Sequence, residues 1–136
     1  MEKMKQRNKK QTGFTMIELL AVVTIMAILF TIGIVAYTNA VRNSRDNRRV
    51  TDVSNMRQAL VLFRSDTGCY PDNFTDLLGS GGYWSEAQQP LDPSTGMSYT
   101  YTPSGTCTTG HSGFTITATM ENTTTYPSGT YSVTNP

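Results

Sequence analysis

The chain has 136 residues, enough for one compact domain with additional segments, and its 11 Lys and Arg nearly balance its 10 Asp and Glu. These charges are segregated along the chain. No Lys or Arg follows Arg64, and the part beyond it carries only acidic charges. Because a nucleic-acid-binding domain gathers basic charge on its folded part, this distribution argues against DNA or RNA binding by the C-terminal half.

The first 13 residues form a basic leader with five Lys and Arg and one acidic residue, Glu2. An apolar stretch follows at residues 14–41, in which Glu18 is the one charged residue. A helix needs about 20 apolar residues to cross a bilayer, and the rest of the chain is too short to enclose so long a helix that is apolar on every side. The apolar region of a secretory signal peptide has only about 7–15 residues. We therefore predict a membrane-spanning helix rather than a buried helix or an ordinary signal peptide.

The orientation of this span is only weakly indicated by charge. Five Lys and Arg precede it and four Arg follow it closely, so the positive-inside rule barely separates the two orientations. Cys69 and Cys107 favour an exported C-terminal part, where an even cysteine count is typical of a disulfide. Two unrelated buried thiols are the alternative. We expect a Cys69–Cys107 disulfide, a cytoplasmic N-terminus and an extracytoplasmic C-terminal part.

The helix continues beyond the membrane stretch. Apolar residues recur at helical spacing, with charged residues between them, at Val53, Met56, Leu60 and Phe63. Gly68 stands at the position of a helix C-cap, with Pro71 just beyond. The pattern predicts one helix from about Phe14 to Thr67, apolar throughout in residues 14–41 and amphipathic in residues 42–67.

The remaining residues, 68–136, predict a small β-sheet head. Apolar and polar residues alternate in Ser98–Thr102, Phe114–Met120 and Tyr131–Thr134, and Pro127-Ser128-Gly129 is a turn signal before the last stretch. An antiparallel sheet that is apolar on one face would pack on the apolar stripe of the amphipathic helix. The predicted fold class is therefore α+β, with one long helix on a small antiparallel sheet.

The junction between the leader and the apolar stretch carries a specific motif, Gly13-Phe14-Thr15-Met16-Ile17-Glu18. It resembles the processing site of type IV pilins and type II secretion pseudopilins, which has a basic leader ending in Gly, then Phe, then Glu as the fifth residue after the cut. The resemblance implies a pilin-like fold and cleavage between Gly13 and Phe14 by a prepilin peptidase on the cytoplasmic side of the membrane. It also implies N-methylation of the new Phe14 amine.

The charge of Glu18 inside the apolar stretch needs a partner. An ionised carboxylate there costs about 2.5–3.5 kcal/mol on insertion scales, and the stretch contains no basic side chain. Cleavage after Gly13 would create a positive amine at Phe14. That amine can pair with Glu18 of the same helix, four residues on, or with Glu18 of a neighbouring subunit, as the resemblance implies for assembly. In an isolated subunit, Glu18 can instead extend to the membrane interface.

Two segments of the head, Thr67-Gly68-Cys69-Tyr70-Pro71-Asp72 and residues 91–101, resemble the major (G-type) pseudopilin of type II secretion. In that family the helix runs into a Gly-x-Tyr-Pro segment, and a later Asp-Pro-x-Gly stretch leads into a Tyr-x-Tyr strand. This chain has one residue more between the proline and the glycine. That family also binds calcium through acidic ligands in a C-terminal loop, whereas no Asp or Glu follows Glu121 here. Because calcium takes six to eight oxygen ligands, usually with carboxylates, we predict no calcium site. The Cys69–Cys107 disulfide would then link the helix to the sheet in place of a calcium site.

The sequence thus predicts a structural filament subunit and no enzyme. His111 is the single histidine, so no Ser-His-Asp, Cys-His or His/Cys metal arrangement is indicated, and no cofactor is expected. The expected partners are copies of the same chain, minor pilins or pseudopilins, the prepilin peptidase and an inner-membrane assembly platform. We expect a single pass through the inner membrane and then a periplasmic or cell-surface filament. The basic stretch from Arg42 to Arg64 is a candidate partner for the acidic head of another subunit.

Three filament systems share this subunit plan: a secretion pseudopilus, a surface pilus for adhesion or motility, and a competence pseudopilus for DNA uptake. The Asp-Pro and Tyr-x-Tyr segments favour the type II secretion pseudopilin. An alternative of another class is an uncleaved membrane anchor that displays the small β head as an adhesin or binding module. In that case the leader would stay attached beyond Gly13.

Overall fold

The computed structural model of the chain describes residues 13–79, 82–86 and 88–135. The basic residues of the leader, on which the predicted orientation partly rests, lie outside these ranges. In chain order the elements are a long helix α1 (Met16–Thr67), a 3₁₀ helix (Phe74–Leu77) and the strands β1 (Thr100–Ser104), β2 (Gly113–Thr119) and β3 (Thr130–Thr134). The predicted α+β class, one long N-terminal helix on a small antiparallel sheet, is confirmed and is consistent with a pilin-like fold.

Both ends of α1 are set by local capping. At its start, the backbone N–H of Glu18 donates to the hydroxyl of Thr15 at 3.3 Å, so Thr15 acts as the N-cap. The helix therefore begins at Met16, two residues later than predicted. At its end, Gly68 adopts a left-handed conformation with φ of 86°, and its N–H donates to the carbonyl four residues earlier at 2.7 Å. The predicted end at Thr67 is confirmed.

The chain divides into two compact units, Met1–Tyr37 and Thr38–Pro136. In the described part of the first unit, every side chain of α1 is exposed. The helix is long and apolar enough, by length and composition, to cross a membrane. The hydroxyls of Thr24 and Thr31 donate to backbone carbonyls three and four residues earlier, at 2.8 and 2.7 Å. These two polar groups are therefore satisfied within the helix and need no water.

The core of the second unit lies between one face of α1 and the sheet. Val53, Met56 and Leu60 of α1 are fully buried, as their spacing predicted, and burial of each such side chain contributes about 1.5–3 kcal/mol. The fourth residue of the predicted stripe, Phe63, is half-buried and packs edge-to-face on Tyr83. The sheet and loops complete the core with Tyr70, Phe74, Leu77, Tyr99, Phe114, Ile116 and Ala118.

The three strands form an antiparallel sheet in the order β1-β2-β3. Tyr101, Ile116 and Val133 lie opposite one another across the sheet and contribute to the core. The second and third strands lie within one residue of their predicted ends. The first strand begins and ends two residues later than predicted, because Ser98 pairs with Leu91 in an isolated bridge instead of joining the sheet.

A disulfide joins Cys69 to Cys107, with the two Cα atoms 5.9 Å apart. It ties the chain just after α1 to the loop between β1 and β2, and for its sequence separation of 38 the chain-entropy model gives about 4 kcal/mol of stabilisation. Beside it, Tyr70 and His111 exchange two backbone hydrogen bonds of 2.8 and 2.9 Å. Gly110 permits this contact, because a Cβ there would lie 2.3 Å from the carbonyl oxygen of Tyr70. The predicted disulfide is thus one part of a wider closure between the helix end and the sheet.

Candidate functional site

The peptide bond between Gly13 and Phe14 lies outside the helix. Neither residue belongs to a helix or strand, and the Phe14 side chain is 86% exposed. A Cβ added at Gly13 would meet no atom within 4 Å, so packing against the described chain does not require glycine there. An enzyme can therefore reach this bond without unwinding α1.

Glu18 lies in the first turn of α1, three residues after the N-cap Thr15, and is exposed. The pair matches the threonine and glutamate positions of a capping box. Sequence analysis missed this role, although the Thr-x-x-Glu spacing signals it. The partial positive charge of a helix N-terminus stabilises a carboxylate by about 0.3–1 kcal/mol. That is less than the roughly 2.5–3.5 kcal/mol for placing the charge in lipid, so the helix end alone does not offset the cost.

Within the described residues, no basic side chain forms an ion pair with Glu18. Phe14 precedes the N-cap, so the regular i, i+4 geometry of a helix does not apply to a Phe14–Glu18 pair in this structure. Of the two pairings considered from the sequence, the one within a single helix therefore lacks helical geometry. The pairing between neighbouring subunits is unaffected.

Residues 8–34 match the family model described as the prokaryotic N-terminal methylation motif. The motif supports a type IV pilin-like structural subunit. The matched residues include the Gly13–Phe14 bond, Glu18 and most of the apolar stretch, and they make up 27 of the 136 residues. No curated protein and no solved structure gives a significant match. The motif fits a non-enzymatic protein held in a membrane by one N-terminal helix.

The head is fixed to the helix by a cluster of five charged residues: Arg45, Asp46, Arg49, Asp92 and Glu121. We call this set the ion cluster. Arg49 lies at its centre and is 2% exposed. Its guanidinium contacts carboxylate oxygens of Asp92 at 2.6 Å, Asp46 at 2.7 Å and Glu121 at 2.9 Å. Arg45 also binds Glu121, with Nε and Nη2 each donating a hydrogen bond to one of the two carboxylate oxygens. The cluster thus joins α1 to two separate parts of the head.

Backbone groups complete the ion cluster. Asp46 accepts hydrogen bonds from the N–H groups of Glu121 and Asn122 at 3.0 and 2.8 Å. Asp92 accepts from the N–H groups of Ser94 and Thr95 at 2.8 and 2.9 Å. Among the described residues, no buried side-chain oxygen or nitrogen lacks a hydrogen-bond partner. A buried charge network stabilises a fold only when its members are satisfied in this way.

The pKa values of the carboxyl groups in the ion cluster follow from these contacts. The hydrogen bond from Arg49 holds the pKa of Asp92 far below its usual range, and the hydrogen bond from Arg45 lowers the pKa of Glu121. Burial by itself would raise the pKa of Asp46, but its hydrogen bonds to backbone N–H groups and to Arg49 outweigh burial and lower it. All three carboxyl groups are therefore ionised near neutral pH.

The ion cluster changes the interpretation of two sequence features. The Asp-Pro segment forms a turn, and its Asp92 also binds Arg49, 43 residues earlier. The arginines of the basic stretch were expected to meet the acidic head of another subunit, whereas Arg45 and Arg49 bind the acidic residues of their own head. For these two arginines the expectation was wrong, because their partners were already present within the same fold.

His111, the single histidine, has two polar neighbours. His111 places Nε2 3.0 Å from a carboxylate oxygen of Asp72 and Nδ1 3.0 Å from the carbonyl oxygen of Gly105. In the part of the chain that the structure describes, no three His, Cys, Asp or Glu residues come together as a metal site. The absence of a calcium site in the full-length protein stays a prediction.

Proposed function

We propose that this chain is the structural subunit of a type IV pilus-like filament, cleaved between Gly13 and Phe14 and N-methylated at Phe14. One observation carries the proposal: the methylation motif covers the Gly13–Phe14 bond and the start of an apolar helical segment, residues 16–37, whose side chains are all exposed. No described residue of the chain covers this apolar segment, so lipid or other helices must cover it. A membrane-inserted precursor and a bundled filament core provide these two environments in turn.

The charge of Glu18 gives assembly a driving force. Cleavage creates a positive amine on Phe14, and a neighbouring subunit brings its own Glu18. Pairing the two neutralises both charges in surroundings where an unpaired carboxylate costs about 2.5–3.5 kcal/mol. The leader must be removed first, because without the cut no amine exists at Phe14.

Among filament systems, we favour the type II secretion pseudopilin. The helix end at Gly68, the Asp92-Pro93 turn and the strand containing Tyr101 occur in the order in which the G-type pseudopilin carries them. A surface pilus and a competence pseudopilus remain alternatives that use the same subunit plan. The proposed topology has the N-terminus in the cytoplasm and the head outside, where the Cys69–Cys107 disulfide can form.

Intact-mass analysis of the protein extracted from membranes tests the proposal. We expect a chain that begins at Phe14 and carries one additional methyl group. A chain that keeps residues 1–13 would contradict the proposal and favour an uncleaved anchor that displays an adhesin or binding module. The matched variant is Gly13→Ala, which meets no atom of the described chain. It should fold as the wild type does but keep its leader, because the change alters the proposed cleavage position and disturbs no packing of the described residues.

A further inference from the structure

Two groups of exposed charges in the second unit stand out, one in the middle of α1 and one around its C-terminal end. In the middle of α1, Arg42 is exposed and the Arg48 side chain is 69% exposed. Near its end, Asp66 and Asp76 are exposed and the Asp72 side chain is 74% exposed. We call the first pair the basic edge and the three aspartates the acidic edge. These residues lie outside the ion cluster that fixes the head.

Neighbouring charges do not cancel either edge. At the basic edge, the carboxylate of Asp52 lies 4.0 Å from Arg48 and also accepts a hydrogen bond from Tyr99. The Arg48–Asp52 pair is weak, because it is long and its arginine is exposed. At the acidic edge, the guanidinium of Arg64 is held over the ring of Tyr70, 5.0 Å from its centroid. The acidic edge therefore has three carboxylates for one arginine and one histidine, so negative charge is in excess there.

The two edges are too far apart to pair within one molecule. Arg42 and Asp66 are separated by 24 positions of a continuous helix, which is about 36 Å at 1.5 Å per residue. This distance is several times the Debye length of about 8 Å at physiological salt, so salt largely screens the attraction between the two edges. Only another molecule can bring opposite charges against both edges.

We propose that the basic edge of one subunit binds the acidic edge of the next copy of the same chain. This inference rests on the proposed filament and adds a head-to-tail contact to it. A contact between two different patches of the same protein is heterologous, and unless the rotation closes a ring it continues as an open helical filament. Complementary charge at such a contact sets the register between subunits and speeds their encounter. Ion pairs at this contact are exposed, so each is weak, but every subunit of the filament repeats them.

Two charge-reversed variants of the full-length, processed chain test the contact. The first changes the basic edge with Arg42→Glu and Arg48→Glu. The second changes the acidic edge with Asp66→Lys and Asp72→Lys. In either variant alone, like charges face each other along the filament, and we expect filament mass to fall at least about tenfold. An equimolar mixture places opposite charges at every contact, and we expect it to restore assembly to within about twofold of wild type.

The control is Glu86→Lys, which reverses an exposed charge outside both edges and should leave filament mass unchanged. Formation of the Cys69–Cys107 disulfide and an unchanged circular dichroism spectrum would establish that each variant is folded. Wild-type filaments should also lose mass as ionic strength rises, since exposed pairs are screened by salt.

Two results would overturn the contact while leaving the filament proposal intact: a folded variant that assembles alone as well as wild type, or a mixture that stays as defective as its components.

If wild type forms no filament, the filament proposal fails, and sedimentation of the two variants in detergent then decides about the contact. Salt-sensitive association of the mixture, but of neither variant alone, would support it, and no association would overturn it. The first variant could also lose binding to phosphatidylglycerol vesicles while the mixture fails to restore assembly. That result would show that the basic edge binds lipid, and it would overturn the contact.

Discussion

Arg49 and Asp92 are joined by two hydrogen bonds, 2.6 Å from Nε to Oδ2 and 3.0 Å from Nη2 to Oδ1, although 43 residues separate them in the chain. The planar guanidinium presents two donors to the two carboxylate oxygens, which is the strongest geometry for this kind of pair. Asp92 also closes the turn that precedes Tyr99, whose side chain is buried against α1. One pair therefore positions both a loop and a core residue against the helix.

Replacing Arg49 with Met should destabilise the head strongly. The change leaves Asp46, Asp92 and Glu121 close together without their central cation, and breaking a buried charge pair costs about 3–5 kcal/mol. Trp84 is the single tryptophan, lies in the second unit and packs edge-to-face on Phe74, so its fluorescence reports the unfolding of the head in urea.

The matched control for that change is Arg48→Met, one helix position away. The Arg48 side chain is 69% exposed and lies 4.0 Å from its carboxylate partner, so its loss should cost less than about 1 kcal/mol. Equal costs for the two variants would show that burial of Arg49 in the ion cluster has no special energetic role.

Stability of the head should fall in acid. The pKa values of Asp46, Asp92 and Glu121 are lowered in the folded state. A carboxyl group with a lowered folded-state pKa contributes stability above its unfolded pKa of about 4, and loses that contribution as pH falls through the folded-state pKa. The free energy of unfolding should therefore be steady from pH 7 to 5 and decline below pH 4.

Urea titrations at pH 7, 5 and 3 would measure this decline, again with Trp84 fluorescence as the signal. The variant Asp92→Asn removes the carboxyl group with the largest lowering, so its stability should be lower at pH 7 and should fall less steeply in acid. A wild-type head that is as stable at pH 3 as at pH 7 would contradict the proposed ionisation of the cluster.

Gly110→Ala should disturb the closure between the helix end and the sheet. Its Cβ would lie 2.3 Å from the carbonyl oxygen of Tyr70 and 3.5 Å from Cβ of Cys69, so the backbone must shift and the two Tyr70–His111 hydrogen bonds must lengthen. Overpacking of this kind costs about 1–3 kcal/mol, and the midpoint of urea unfolding should fall accordingly.

Gly33→Ala is the comparison for that change. It adds the same methyl group at a helical position where no atom lies within 4 Å, and it lies in the first unit. We expect unfolding of the head to be unaffected. If Gly110→Ala also left the midpoint of urea unfolding unchanged, the close approach to Tyr70 would not constrain the fold.

Glu18→Gln should separate processing from assembly. The amide keeps the size of the side chain and leaves the Gly13–Phe14 bond unchanged, so the leader should still be removed. Without the carboxylate, the Phe14 amine of a neighbouring subunit loses its partner in an apolar core, and filament mass should fall more than tenfold. Filaments sheared from cells, with the mass of the membrane-bound subunit as the internal control, give the measurement. Normal filament mass in this variant would show that the Glu18 carboxylate has no role in assembly.

Local patterns predicted the elements of this fold well. The end of α1 at Gly68, the buried stripe of Val53, Met56 and Leu60, and the second and third strands were each predicted within one residue. Each of these signals depends on residues two to four positions apart, so it is present in the sequence before any tertiary contact forms. The apolar stretch and the Gly13–Phe14…Glu18 motif are local in the same sense.

Tertiary structure decided what these local patterns left open. Whether Arg49 meets its own head or another subunit depends on where Asp92 and Glu121 arrive after folding, and the spacing of residues along the chain does not contain that information. The same holds for Gly110, whose neighbour Tyr70 lies 40 positions earlier. The sequence alone predicted a processed, membrane-inserted helix bearing a small head, because those predictions depend on residues that are close together along the chain. The assignment of each charge to the fold or to the surface required the folded chain, because charges pair according to distance in space.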